Sequence, residues 1–173
     1  MKGKDVVLGL LFKKNLTGYE LNELIEKRLS HFFDGGFGMI YPTLKKLEKD
    51  GLVSKETIIQ EGKPNKNIFS ITSEGKKEFL QALKTDPDED KLKSDYLIRF
   101  YFGEYLDRNT LIKNTKEQII RTNKKLKFLT SQIDEWSKDM TKEQYFTYEY
   151  GIKHYTSTLD LLNSELKSLE NSL

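Results

Sequence analysis

Apolar residues in the first half of the chain recur in short helical stripes rather than in long alternating runs. Val6, Val7, Leu10 and Leu11 mark a short apolar helix. Thr17-Gly-Tyr-Glu20 has the spacing of a capping box, in which a hydroxyl and a carboxylate close the first turn of the next helix. Leu21, Leu24, Ile25 and Leu29 supply that helix with its buried stripe. A third helix follows, with Ile40, Leu44 and Leu47 spaced i, i+4, i+7 along one face. At about 100° per residue, Gly38, Tyr41, Pro42, Lys45, Lys46 and Lys49 fall on the opposite side. Pro42 is tolerable there if Gly38 to Ile40 form the first turn, and Gly51 is the expected left-handed stop.

The pattern then changes to that of a hairpin. Leu52-Val53 and Thr57-Ile58-Ile59 begin it, Glu61-Gly-Lys-Pro-Asn65 has turn chemistry, and Ile68, Phe69 and Ile71 form the returning strand. Thr72 or Ser73 caps a fourth helix. Three helices, a hairpin and a helix in this order describe a helix-turn-helix with a β-wing. Lys63 and Lys66, with Asn65 and Asn67, sit at the wing tip.

Beyond an acidic, proline-containing stretch at Lys84-Thr-Asp-Pro-Asp-Glu-Asp90, the periodicity becomes long. Leu92, Tyr96, Leu97, Phe100 and Tyr101 predict a buried helix ending near Gly103. Ile112, Ile119, Leu126 and Ile133 then recur at heptad spacing, beside a second row of Thr115, Thr122, Leu129 and Trp136. The last segment repeats the arrangement, with Tyr148, Tyr155, Leu162 and Leu169 in one row and Ile152, Leu159, Leu166 and Leu173 in the other. Asp107 or Thr110 caps the first long helix and Thr141-Lys-Glu-Gln144 the second. The expected fold is mainly α with a small β-hairpin wing. An N-terminal winged helix-turn-helix domain covers residues 1–84, and a C-terminal long-helix dimerisation arm covers 85–173. Seams of this kind close either within one chain or against a second copy, and periodicity alone does not separate the two.

Charge sharpens the reading. The formal net charge of the 173 residues is only +2, but it is unevenly divided. Residues 1–84 carry 15 Lys/Arg against 11 Asp/Glu, hence +4, and residues 85–173 carry 14 against 16, hence −2. Binding to a polyanion therefore depends on a concentrated patch rather than on global charge. No cysteine is present, which excludes disulfides, thiol catalysis and cysteine-based zinc sites. No apolar run approaches the 18 residues of a membrane span, and no signal-peptide core follows Met1, so a soluble cytoplasmic chain is expected. A calcium loop starting at Asp86 lacks both its turn glycine and its late glutamate, since Lys91 and Leu97 stand there. His31 and His154 have no partner at metal-ligand spacing, so no metal and no cofactor are expected. Nucleotide-binding glycine motifs and a His-Glu-x-x-His are missing, which argues against an enzyme.

Six motifs together resemble the PadR-like transcriptional regulators: Leu8-Gly-Leu-Leu11, Thr17-Gly-Tyr-Glu-Leu21, Ile40-Tyr-Pro-Thr-Leu-Lys-Lys-Leu-Glu48, Gly51-Leu-Val53, Gly62-Lys-Pro64 and Ile71-Thr-Ser-Glu-Gly75. They run in the family's order over roughly residues 5 to 80. One segment departs from it: His31-Phe-Phe-Asp-Gly-Gly-Phe37 is more aromatic and glycine-rich than a minimal turn requires. The resemblance implies a dimeric winged-helix repressor with the Tyr-Pro helix in the major groove and the Gly-Lys-Pro turn as wing. On that reading Tyr41, Thr43, Lys45, Lys46 and Lys49 face the groove, and Tyr19 donates to a phosphate. Lys63, Asn65 and Lys66 hold the backbone beside the adjacent minor groove. The partner is a double-stranded operator, read as an inverted repeat by a homodimer. Ile112, Ile119, Leu126, Leu129, Ile133, Ile152, Tyr155, Leu159, Leu162, Leu166 and Leu169 are the expected dimerisation residues.

The C-terminal aromatics raise a second expectation. Tyr101, Trp136 and Tyr148 are candidates to hold a small planar effector, such as a phenolic acid or a cationic drug, in a pocket between the arm and the winged domain. The competing reading is that such aromatics are core or interface packing. A rival for the whole chain is a winged helix that docks proteins from a coiled-coil stalk; it would tolerate loss of Lys63 and Lys66, whereas DNA binding would not.

Overall fold

A computed structural model describes residues 1–60, 62 and 65–171. They form two compact units, Met1–Asp90 and Lys91–Leu173.

The first unit runs α1 (Gly3–Lys13), β1 (Leu16–Thr17), α2 (Gly18–Leu24, continued by a π turn over Ile25–Leu29), α3 (Phe37–Lys49), β2 (Val53–Ile58), β3 (Lys66–Ile71) and α4 (Ser73–Ala82). The helical stripes converge as their spacing requires: Val7, Leu8 and Leu11 of α1 meet Leu21 and Ile25, and Ile40, Leu44 and Leu47 of α3. Their burial is worth about 1.5–3 kcal/mol for each side chain of this size.

The sheet has one strand more than the hydrophobic pattern shows. Its order is β1-β3-β2, all antiparallel. The two-residue β1 pairs Leu16 with Phe69 and Thr17 with Ile68, so the start of α2 is bound to the wing strand by backbone hydrogen bonds. A segment this short carries no period that a sequence can display.

Two local devices explain how α3 ends and α4 begins. Gly51, at φ +72°, completes a Schellman motif: its N–H donates to the Glu48 carbonyl at 3.1 Å, and Leu52 N–H donates to the Leu47 carbonyl at 2.9 Å. Of the two candidate caps for α4, Thr72 serves, accepting from Gly75 N–H at 3.1 Å while donating to the Gly51 carbonyl at 2.9 Å. At the other end of the recognition helix, the expected first turn is corrected. The helix starts at Phe37 with Gly36 as N-cap, which places Pro42 in the second turn. A proline there gives the Gly38 carbonyl no i+4 donor, and the exposed position of both residues leaves that carbonyl to water.

The second unit contains α5 (Asp95–Tyr101), α6 (Arg108–Trp136) and α7 (Lys142–Asn171), with 3₁₀ turns at Gly103–Tyr105 and Ser137–Asp139. Asp107 rather than Thr110 caps α6, accepting from Thr110 N–H at 2.9 Å. Thr141 and Gln144 close the first turn of α7 reciprocally. The two long helices, about 44 and 45 Å at 1.5 Å per residue, pack antiparallel within the chain. The Arg108 guanidinium donates to the Leu169 carbonyl and Lys116 pairs with Glu170 at 2.7 Å, while Trp136 meets Tyr148 edge-on at 5.4 Å near the opposite end.

Of the two heptad rows on α6, the one with the threonines is the buried one: Thr115, Thr122, Leu129 and Trp136. The Thr115 and Thr122 hydroxyls donate to the Leu111 and Gln118 carbonyls at 2.9 Å, which satisfies them inside the seam. α5 corrects another expectation. It buries no residue, and Leu92 precedes it; only the Tyr96–Phe100 stripe turns inward, with Tyr96 Oη 3.2 Å from Thr115 Oγ1. A helix of seven residues offers one contact stripe, and Leu97, Ile98 and Tyr101 lie off it.

Candidate nucleic-acid interface

Three pieces of the first unit meet at one concave surface. The capping box at the start of α2 forms completely. Thr17 Oγ1 accepts from Glu20 N–H at 3.2 Å, and the Glu20 carboxylate accepts from Thr17 N–H at 2.7 Å and from the Thr17 hydroxyl at 2.8 Å. These bonds, led by the Thr17 backbone N–H and assisted by the charges of Lys66 and Lys14, hold the Glu20 carboxyl below its ordinary range. The first-turn geometry of α2 is thereby fixed, and Tyr19 projects from it, 67% exposed.

The second piece is α3. Tyr41 is 46% exposed and lies on the edge of the polar face nearest α2. A Cβ on Gly18 would stand 2.9 Å from two atoms of the Tyr41 ring. Phe37 meets the same ring edge-on at 5.2 Å and is itself exposed. Lys45, Lys46 and Lys49 are exposed and form no ion pair with a carboxylate among the described residues. Thr43 is half-buried on the far flank. Glu48, seven residues on from Tyr41, pairs with Lys55 of β2 at 3.4 Å.

The third piece is the wing. Asn65 and Lys66 are exposed at the start of β3, and Thr57 Oγ1 donates to Asn67 Oδ1 across the strands at 2.8 Å. Lys63 lies outside the described residues. Between the pieces runs an open groove of about 390 Å³, bounded by Tyr19, Glu20, Tyr41, Asn65 and Lys66. Of the nine residues expected at the interface, Tyr19, Tyr41, Asn65 and Lys66 therefore share one concavity, while Lys45, Lys46 and Lys49 extend the exposed face of α3.

Gly18 and Phe37 escape a reading based on charge and stripes. Gly18 had no signal of its own, since the propensity cost of glycine belongs to helix interiors and Gly18 is the first residue of α2. Phe37 had none that separates it from the neighbouring aromatics.

The expected residues of the second unit divide in two. Leu129, Tyr155, Leu159 and Leu162 are buried within the single chain, as are two of the effector candidates, Trp136 and Tyr148. Ile112, Ile119, Leu126, Ile133, Ile152, Leu166 and Leu169 are half-buried along the edges of the seam. Burial also raises the Tyr155 phenol above its ordinary range. Tyr101, the third effector candidate, is 82% exposed and touches Phe102 edge-on.

Two family models match successive parts of the chain. Residues 7–81 match the Transcriptional regulator PadR-like family, and residues 92–170 match the Virulence activator alpha C-term family. The crystal structure of smu.1604c from Streptococcus mutans is 46% identical with a TM-score of 0.91, covering 96% of this chain and 99% of that one. The PadR-like transcriptional regulator BC1756 from Bacillus cereus is 38% identical with a TM-score of 0.90, covering 99% of this chain and 100% of that one.

The chain belongs to the PadR-like family of transcriptional regulators.

PadR of Bacillus subtilis, a negative transcriptional regulator, is 28% identical over 163 residues, 94% of this chain and 88% of that protein. Its structure in complex with operator DNA has a TM-score of 0.80 at 26% identity, covering 96% of this chain and 98% of that one. In this PadR-like regulator the winged helix-turn-helix is the part matched by the family's own model. No helix among the described residues is long and apolar enough to cross a membrane.

Proposed function

We propose that this regulator is a homodimeric repressor that reads an inverted-repeat operator. The observation that carries the proposal is the groove in which the capped start of α2, Tyr41 and the wing residues Asn65 and Lys66 converge. Tyr41, Thr43, Lys45, Lys46 and Lys49 enter the major groove, Tyr19 donates to a phosphate beside it, and Lys63, Asn65 and Lys66 hold the backbone at the adjacent minor groove. The operator complex and the negative regulation of the B. subtilis relative support both the target and the sign.

Dimerisation through residues 85–173 is supported by what the intrachain seam leaves uncovered. Ile98, Phe102, Ile120 and Phe128 are exposed apolar side chains on α5, α6 and the turn after α5. Together with the half-buried seam edges they offer a second copy a surface that water disfavours. Release by a small aromatic effector belongs to the same proposal. Of its three candidate residues Tyr101 is open to solvent, whereas Trp136 and Tyr148 are reached only by parting α6 from α7.

A gel shift on the DNA upstream of the chain's own gene tests the reading. A footprint with two related half-sites one helical turn apart, about 34–36 Å, or a multiple of that, is expected. Equal affinity for this fragment and for random DNA of the same length would exclude sequence-specific reading there.

A further inference from the structure

The second unit holds a cavity of about 670 Å³, within the range of small-molecule sites. Its walls come from the segment before α5, the first turn of that helix and the middles of α6 and α7. Lys93, Arg121, Lys124 and Lys125 line it and no aspartate or glutamate does. Residues 91–173 as a whole carry 14 Lys/Arg and 12 Asp/Glu, so a wall with four cations and no anion is not the average surface of this unit. Lys93, Lys124 and Lys125 form no ion pair among the described residues, and Arg121 reaches its partner Glu117 only at 3.7 Å across exposed surface. The rest of the wall mixes leucines, Tyr96 and Tyr155 with the neutral polar side chains of Ser94, Gln118, Thr122, His154 and Thr158. Leu92, Leu97 and Leu161 are exposed there, Leu161 to 72%, over a floor of buried Leu162 and Tyr155. Lys125 Nζ stands 5.9 Å from the Tyr155 ring centroid, which holds that ammonium at the boundary between floor and rim.

We propose that this cavity binds an amphipathic carboxylate, its apolar body laid on the leucines and Tyr155 and its anionic head among Arg121, Lys124 and Lys125. An uncharged ligand would leave the cationic rim unanswered, and a small inorganic anion would leave the leucines in water. Only a molecule with both parts satisfies both walls. The site is built from the second unit alone and stands apart from operator binding.

Calorimetry on the full-length protein with decanoate, decanol and decyltrimethylammonium, all below micelle formation, tests the assignment. Decanoate is expected to bind one per chain, at least about tenfold tighter than decanol, the scale of a charge-assisted hydrogen bond, with no saturable binding of the cation. Arg121→Glu with Lys124→Glu should weaken decanoate about tenfold or more, and so should Leu161→Asp, which removes an exposed leucine and leaves the core intact. Lys127→Glu, on the same helix but off the cavity, should change nothing. Equal binding of the three amphiphiles, or decanoate binding indifferent to the cavity variants, would overturn the proposal. So would the absence of binding in a dimer whose second copy closes this face, or sedimentation with anionic vesicles in place of a saturable isotherm.

Discussion

Gly18 and Tyr41 touch: the tyrosine ring of α3 occupies the space a side chain at the start of α2 would need, 2.9 Å from where its Cβ would be. The bare backbone of Gly18 thus sets how Tyr41 is presented. Gly18→Ala is expected to displace the ring and to weaken operator binding about tenfold, or about 1.4 kcal/mol, with a much smaller effect on random DNA. Tyr41→Ala should itself lose more on operator than on random DNA, by about 1–3 kcal/mol if it reads a base edge. In the Tyr41→Ala background Gly18→Ala should then add almost nothing. Full additivity in this double-mutant cycle would show that Gly18 acts on DNA binding by another route.

The wing makes a separate, sequence-blind contribution. Lys66 is exposed beside the groove, and Lys63 is at the same turn in the sequence. Each phosphate contact steepens the dependence of log affinity on log salt by about 0.9. Replacing both lysines by alanine should flatten that slope by about 1.8 if each holds one phosphate. An unchanged slope would remove the wing from the phosphate contacts and favour a docking role for this unit.

The capping box carries a pH signature. The folded state holds the Glu20 carboxyl below its ordinary range, so the folded protein binds this proton less readily than the unfolded chain does. The resulting stabilisation is fully present above the unfolded value, about 4.3, and is lost as pH falls through the depressed folded value. Glu20→Gln should therefore lower Tm at pH 7 and approach the wild-type Tm in strong acid. Thr17→Ala removes the hydroxyl that caps the helix N-terminus and should cost about 0.5–2 kcal/mol at pH 7. A Tm gap between wild type and Glu20→Gln that does not narrow between pH 6 and pH 3 would detach the cap from the Glu20 carboxylate.

How far the sequence carries depends on the range of the interaction concerned. The buried stripe Ile40-Leu44-Leu47, the Thr17–Glu20 box and the Gly51 stop are set within a few residues, and each forms where its spacing places it. The pairing of Leu16 with Phe69 joins positions far apart in the chain through a strand too short to show alternation. The same holds for the burial of Thr115 and Thr122 in preference to the isoleucine row. Heptad spacing fixes which residues share a row, but the partner helix selects the row, and local hydroxyl bonds make the more polar one tolerable. At the interface, the lysines were visible as charge, whereas the role of Gly18 exists only once α3 lies against α2.

Two glycines should respond to the same substitution with opposite signs. Gly75 is in the first turn of α4, where a Cβ would fall 2.1 Å from the Leu52 carbonyl oxygen and 2.9 Å from the Ile71 side chain. That carbonyl also accepts from Thr72 N–H at 3.0 Å, so it is backbone held by a hydrogen bond. Gly75→Ala must push α4 away from the end of α3, and the strain, about 1–3 kcal/mol, outweighs the gain of about 1 kcal/mol from replacing a helical glycine. Gly38, in the first turn of α3, has nothing within 4 Å of its would-be Cβ. Gly38→Ala should therefore keep the propensity gain and raise Tm, whatever it does to DNA affinity from its exposed position. Chemical denaturation of the two variants beside the wild type measures both signs at once. Stabilisation by Gly75→Ala would mean that α4 moves off Leu52 without cost, and that the glycine of the Ile71-Thr-Ser-Glu-Gly75 motif is not required by packing.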